Sequence, residues 1–205
     1  MAMLSDSDRE RISAAIRAAE ARTSGEFVTV IAARAAHYLE FALLYALFAG
    51  ILVAATEPWW GGWGRPSALL GAAVVEAVVA LALIALPGLR VRLVPARVRE
   101  ARCRALARQQ FAARDVTRTR ERTGVLLFVA MDERYVELIA DSGIDAKMPA
   151  GSWQQVVDAF TACVREGRYA DGFVGATERV GAALAQHFPR QANDANELPD
   201  HLIEL

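Results

Sequence analysis

The chain has 205 residues, 54% of them hydrophobic, and a formal net charge of −1. Two cysteines, Cys103 and Cys163, fit a reducing compartment and exclude a disulfide framework, and three dispersed histidines lack zinc spacing. The near-neutral total conceals segregation: eleven arginines stand between Arg90 and Arg122 against Glu100, Asp115 and Glu121.

The N-terminus lacks a basic region followed by an apolar one, so no cleaved signal peptide is expected. Ser7-x-x-Glu10 reads as a capping box, and Ile12, Ala15, Ile16 and Ala19 recur at helical spacing up to a stop at Gly25. Glu26 to Ala33, rich in β-branched residues, is predicted as a strand. Two apolar stretches follow, about residues 38–56 and 67–86, separated by Glu57-Pro-Trp-Trp-Gly-Gly-Trp-Gly-Arg-Pro66. As helices they cover roughly 28 to 30 Å each, the hydrocarbon thickness of a bilayer. Pro58 and Pro66 stop helices, and Trp59, Trp60 and Trp63 suit the membrane interface. A transmembrane helical hairpin is therefore expected.

Arginine-rich short segments stay cytoplasmic. The eleven arginines follow the second span and Arg34 precedes the first, so both termini are expected in the cytoplasm and the Trp loop outside, in a bacterial inner membrane. Pro95 opens a helix with a thin apolar stripe at Val98, Ala101, Ala105 and Ala112. The run Val125 to Met131, apolar at nearly every position, predicts a central strand covered on both faces. A turn at Asp132-Glu133 leads into an antiparallel strand, Arg134 to Ala140. One helix is expected along Trp153, Val156, Val157, Phe160 and Val164, and a last one from Phe173 to His187, separated by Glu166-Gly-Arg168. Residues 190–205 read as an acidic flexible tail.

The helix and strand before the hairpin are too small to stand alone, and a hairpin returns the chain to the side it left. The expected organisation is one α/β domain in two parts, 5–36 and 89–189, interrupted by the membrane hairpin at 37–88, with the first strand rejoining the later sheet.

Ala21-Arg-Thr-Ser-Gly-Glu-Phe-Val-Thr-Val30, Thr123 to Val129, Asp132-Glu-Arg134, Ile139-Ala-Asp-Ser-Gly-Ile144 and Gly167-Arg-Tyr-Ala-Asp-Gly-Phe173 resemble, in order, the landmarks of the TPM domain family. The resemblance implies an α/β/α sandwich. It also implies a range of roles, from phosphatase-like or calcium-binding proteins to accessory subunits of membrane complexes. Many members carry an acidic residue or Asn before the glycine of the central strand. Here Arg122-Thr123 stands at that place, so acidic chemistry is not carried over to it.

Candidate acidic positions are Asp132, Asp141 and Asp145. Of these, Asp141-Ser-Gly-Ile-Asp145 offers two carboxylates and carbonyls to a hard cation such as Ca2+. Arg118, Arg120 and Arg122 are candidates for an anion or lipid headgroups, and contact with anionic lipid outranks nucleic acid because no reader motif accompanies them. Glu76, near the middle of the second span, is costly in lipid and implies a polar partner, with Tyr45 at similar depth, or a helix of a second copy or another membrane protein. No Gly-rich phosphate loop or Cys-based phosphatase loop is present, and no cofactor is required. The sequence favours a membrane-anchored binding or accessory module over a membrane-tethered, metal-dependent phosphatase-like hydrolase.

Overall fold

The computed structural model describes residues 4–60, 65–119, 122–149, 151–190 and 201–205. The chain divides into two compact units, residues 1–33 with 103–205, and residues 34–102.

In the first unit, helix α1 (Asp6–Glu20) starts two residues earlier than its sequence suggests. Ser5, not Ser7, is the N-cap: its hydroxyl accepts from the Asp8 N–H, and the Asp8 carboxylate accepts from the Ser5 N–H. The preceding residue, Leu4, is buried in the core, and that anchor sets the helix start. Helix α1 ends at the Ala21 cap, and Gly25 serves instead as a contact point with Leu184.

Strand β1 (Glu26–Ala32) and strand β2 (Gly124–Ala130) pair in parallel, Phe27 opposite Val125 and Ile31 opposite Val129, although more than ninety residues separate them. Every residue of both strands is buried, as the continuous apolar run of β2 requires, and β1 carries Glu26 and Thr29 into the interior with its apolar residues. Strand β3 (Tyr135–Ala140) returns antiparallel along β2. The sheet order is β3-β2-β1-β4, where β4 (Ile203–Glu204) pairs in parallel with β1.

Alternate strand residues serve opposite layers. Phe27, Ile31, Val125, Leu127 and Val129 share one core with Ile12 and Ile16 of α1, Phe160 of α7 (Gln154–Arg165), and Phe173, Val180 and Leu184 of α8 (Tyr169–His187). On the other face Arg104 of α5 (Ala96–Ala113) reaches Glu137, the cross-strand partner of Phe128, at 3.8 Å. There α5 buries Cys103 and Ala107, and the result is an α/β/α arrangement. Gly124 is required at the start of β2: an added Cβ would lie 2.4 Å from the Val116 carbonyl of the preceding 3-10 turn. Cys103 and Cys163 are free thiols.

The segment expected as a flexible tail differs at its end. Leu202 and Ile203 are buried, the Leu205 N–H donates to the Ile31 carbonyl (2.9 Å), and Glu204 accepts from Arg9 (2.7 Å). Two apolar side chains and an open edge of β1 outweigh the acidity of the segment. Residues 191–200 lie outside the described residues.

The second unit holds α2 (Leu39–Trp60), α3 (Arg65–Ala85) and α4 (Pro87–Leu93), and α5 begins in it. Small residues form the contact between α2 and α3. Ala42, Ala46 and Gly50 recur every four residues on the buried stripe of α2, and a Cβ on Gly50 would lie 3.3 Å from the Ala72 carbonyl. Large residues point the other way: Leu43, Phe48, Leu69, Val74 and Leu81 are 58–69% exposed. Leu39–Thr56 and Pro66–Ala85 are each long and apolar enough to cross a membrane, and only 17% of each is buried. A soluble core helix of this composition would be mostly buried.

Candidate functional site

A concavity of the first unit lies where the tip of the β2–β3 hairpin faces the junction of α7 and α8. Helix α7 ends in a closed turn: Gly167, at φ 76°, donates to the Val164 carbonyl (3.0 Å), and the Arg168 N–H donates to the Cys163 carbonyl (2.9 Å). This pattern ties back carbonyls that a helix C-terminus otherwise leaves open. Helix α8 starts immediately afterwards, and Arg168 at its N-cap offers no side-chain acceptor to the first turn. Across the gap, the hairpin turn carries Arg134 at φ 54°, its N–H donating to the Met131 carbonyl (3.1 Å).

The cavity between them measures about 450 Å3. Val129, Met131, Val136 and Val164 give it an apolar wall continuous with the main core, and Arg134, Arg165 and Tyr169 give it a polar one. Thr161 also lines it, but its hydroxyl donates to the Val157 carbonyl at 2.7 Å. Among the described residues neither Arg134 nor Arg165 makes an ion pair, whereas nearby Arg168 holds Glu166 at 2.6 Å and Asp171 at 3.5 Å. Tyr135 donates to Glu137 (2.9 Å), and burial together with that bond pushes its phenol up to about 12. It remains protonated through the physiological range.

The carboxylates selected from the sequence do not converge. Asp132 is exposed at the hairpin tip, and Asp141 and Asp145 lie beyond the far end of β3, about 20 Å away along six strand residues. Asp141 is buried and caps the short helix α6 (Ser142–Asp145), its Oδ1 accepting from the Ser142 N–H (2.6 Å) and hydroxyl (3.2 Å). Asp145 is exposed on that helix. Two carboxylates, one committed to a cap, fall short of the roughly six to eight oxygens Ca2+ takes. Among the described residues no group of three or more His, Cys, Asp or Glu is arranged to hold a metal.

Arg122 is exposed, at φ 54°, and its carbonyl accepts from Gly143 (3.2 Å). The Arg118 side chain and Arg120 lie outside the described residues. In the second unit Tyr45 does not meet Glu76. Its hydroxyl donates to the Leu93 carbonyl at the end of α4 (2.8 Å), while Glu76 Oε2 lies 3.4 Å from where a Cβ on Gly50 would stand. The missing side chain at Gly50 lets Glu76 lie over α2.

The profile of the TPM domain matches residues 87–183. This stretch, just under half of the chain, is similar to the TPM domain family. The match begins where the second apolar helix ends and contains the whole lining of the cavity. Helix α1 and strand β1 precede it, yet they complete the same sheet and core as the matched stretch. The solved NMR structure of the BA42 protein from the psychrophilic bacterium Bizionia argentinensis is similar in fold, with TM-score 0.62 and 19% identity over 98% of this chain and 95% of that one. No curated protein matches the chain significantly.

Proposed function

We propose that this chain is a TPM domain protein anchored in a bacterial inner membrane by α2 and α3, and that its TPM domain is a binding or accessory module at the cytoplasmic face. The observation that carries this reading is the inverted packing of the second unit, in which alanine and glycine are buried and Leu69, Leu70, Val74 and Leu81 are 61–69% exposed. In water such a surface drives aggregation, and in hydrocarbon it is matched to its solvent. Arg90, Arg92, Arg97, Arg99 and Arg102 follow the second helix and favour a cytoplasmic location for that flank, with contact to anionic headgroups. Glu76, exposed near the middle of α3, favours a partner helix from another membrane protein or a second copy.

Binding is preferred over phosphate-ester hydrolysis because the candidate carboxylates stand at opposite ends of β3. The test is fractionation of the expressed full chain. Recovery in membranes after an alkaline carbonate wash supports the anchor, and recovery in the wash overturns it. A reporter fused to either terminus and accessible only after the inner membrane is opened from the cytoplasmic side supports the orientation.

A further inference from the structure

We propose that the cavity between the β2–β3 tip and the α7–α8 junction binds a small amphipathic anion. Its phosphate or carboxylate head is held by Arg134 and Arg165, and its apolar body is seated on Val129, Met131, Val136 and Val164. The proposal rests on the reading of the TPM domain as a binding module and is independent of the membrane anchor.

Three observations point to this ligand chemistry. The first is size: 450 Å3 falls within the roughly 300 to 1,000 Å3 of small-molecule sites, and too much of the wall is apolar for a bare ion to fill it favourably. The second is unneutralised charge. Arg9 is neutralised by Glu204, Arg11 by Asp171 and Arg168 by Glu166, whereas the two arginines that line the cavity, like exposed Arg17 and Arg179 on the open surface, meet no carboxylate among the described residues; of these, only Arg134 and Arg165 bring that free charge to a concave wall. Asp132 and Glu133, adjacent to Arg134 in sequence, do not line it. Guanidinium groups favour planar, two-point contact with carboxylate or phosphate.

The third is the backbone. The C-terminal carbonyls of α7, which would repel an anion, are closed off by the N–H groups of Gly167 and Arg168. The N-terminus of α8, whose end dipole attracts one, begins at Tyr169 on the cavity wall without a side-chain cap. The site also lies at the C-terminal end of β2, one of two parallel strands, where open α/β sheets place their ligands.

The test is calorimetric titration of the detergent-purified full chain with phenyl phosphate, phenylacetate and inorganic phosphate. Saturable binding of phenyl phosphate or phenylacetate is expected, and the tighter of the two identifies the preferred head. Inorganic phosphate is expected to bind at least about tenfold more weakly, because it leaves the apolar wall wet. Arg134→Gln and Arg165→Gln are each expected to weaken binding about tenfold or more, with the melting temperature unchanged because both side chains are exposed. Three results overturn the proposal: no saturable binding of either aromatic anion, equal binding of inorganic phosphate, or undiminished affinity in a folded double variant. Carbonate-resistant recovery of the same variants reports on the anchor separately, so failure of one reading does not imply failure of the other.

Discussion

The two units of this chain solve opposite packing problems. In the sheet unit Phe128, Phe160 and Phe173 are inside and the arginines are outside; in the hairpin unit Ala42, Ala46 and Gly50 are inside, and Leu43, Leu69, Leu70 and Leu81 are outside. Burial of large apolar surface stabilises the first because its surroundings are water. In the membrane we propose for it, the second would gain nothing from that exchange, and close backbone approach at small residues takes its place. The same side chain therefore has opposite consequences in the two units, and this contrast gives the first two predictions.

Phe128→Ala, at a residue with no exposure, is expected to cost about 3–5 kcal/mol, the usual loss for a buried phenylalanine. Leu81→Ala, at 69% exposure, is expected to leave the melting temperature in detergent unchanged. Comparable destabilisation by the two changes would break the contrast. Val74→Arg probes the hairpin from the other side. A cation near the centre of a span costs about 2.5–3.5 kcal/mol of insertion free energy, so the membrane-integrated fraction is expected to fall sharply. An unchanged fraction would mean that this face of α3 does not meet lipid.

Gly124→Ala is smaller in effect and belongs to the sheet unit. The added methyl meets the Val116 carbonyl at 2.4 Å, and since that atom is backbone, the 3-10 turn must shift at a cost of about 1–3 kcal/mol. Chemical denaturation of wild type and variant measures it. A neutral result would show that the turn carries no constraint on β2.

That β1 joins the later strands was legible in the sequence, because the helix and strand before the hairpin are too small to stand alone and the apolar run Val125 to Met131 needs cover on both faces. The hairpin was legible from length and hydropathy alone. Strand β4 was not, because it is two residues long and held by main-chain bonds to β1; its one sequence signal is the apolar pair Leu202-Ile203 after an acidic run. The cavity was not legible either. Its lining comes from β2, β3, α7 and α8, and what aims Arg134 and Arg165 is an unusual φ at Arg134 and a helix stop at Gly167, neither of which carries a ligand-binding motif. Attention to carboxylates, the residues that ordinarily signal metal or phosphatase chemistry, selected Asp132 and Asp141 instead, and strand geometry sets them apart.

The smallest expected effect concerns how the fragment before the hairpin is held to the fragment after it. Arg11 of α1 donates to Asp171 of α8 at 2.7 Å, and that hydrogen bond, with the nearby positive charge, holds the Asp171 carboxyl below its ordinary 3.8. Asp8, bonded to Ser5 and close to Arg11, is held below 3.8 as well. A carboxyl that takes up its proton less readily in the fold than in the open chain stabilises the fold only while ionised. Its contribution is complete above 3.8 and disappears as pH falls through the lowered folded value. Both side chains are solvent-exposed, so screening keeps the contribution small. Melting curves of wild type and Asp171→Asn across this acid range are expected to converge, with the wild type slightly higher at neutral pH and falling more steeply. Curves that stay parallel would mean that the pair adds no stability, leaving the link between the two fragments to the shared core of Ile12, Ile16, Phe173 and Leu184 and to the hydrogen bond from Thr23 to the Phe188 carbonyl.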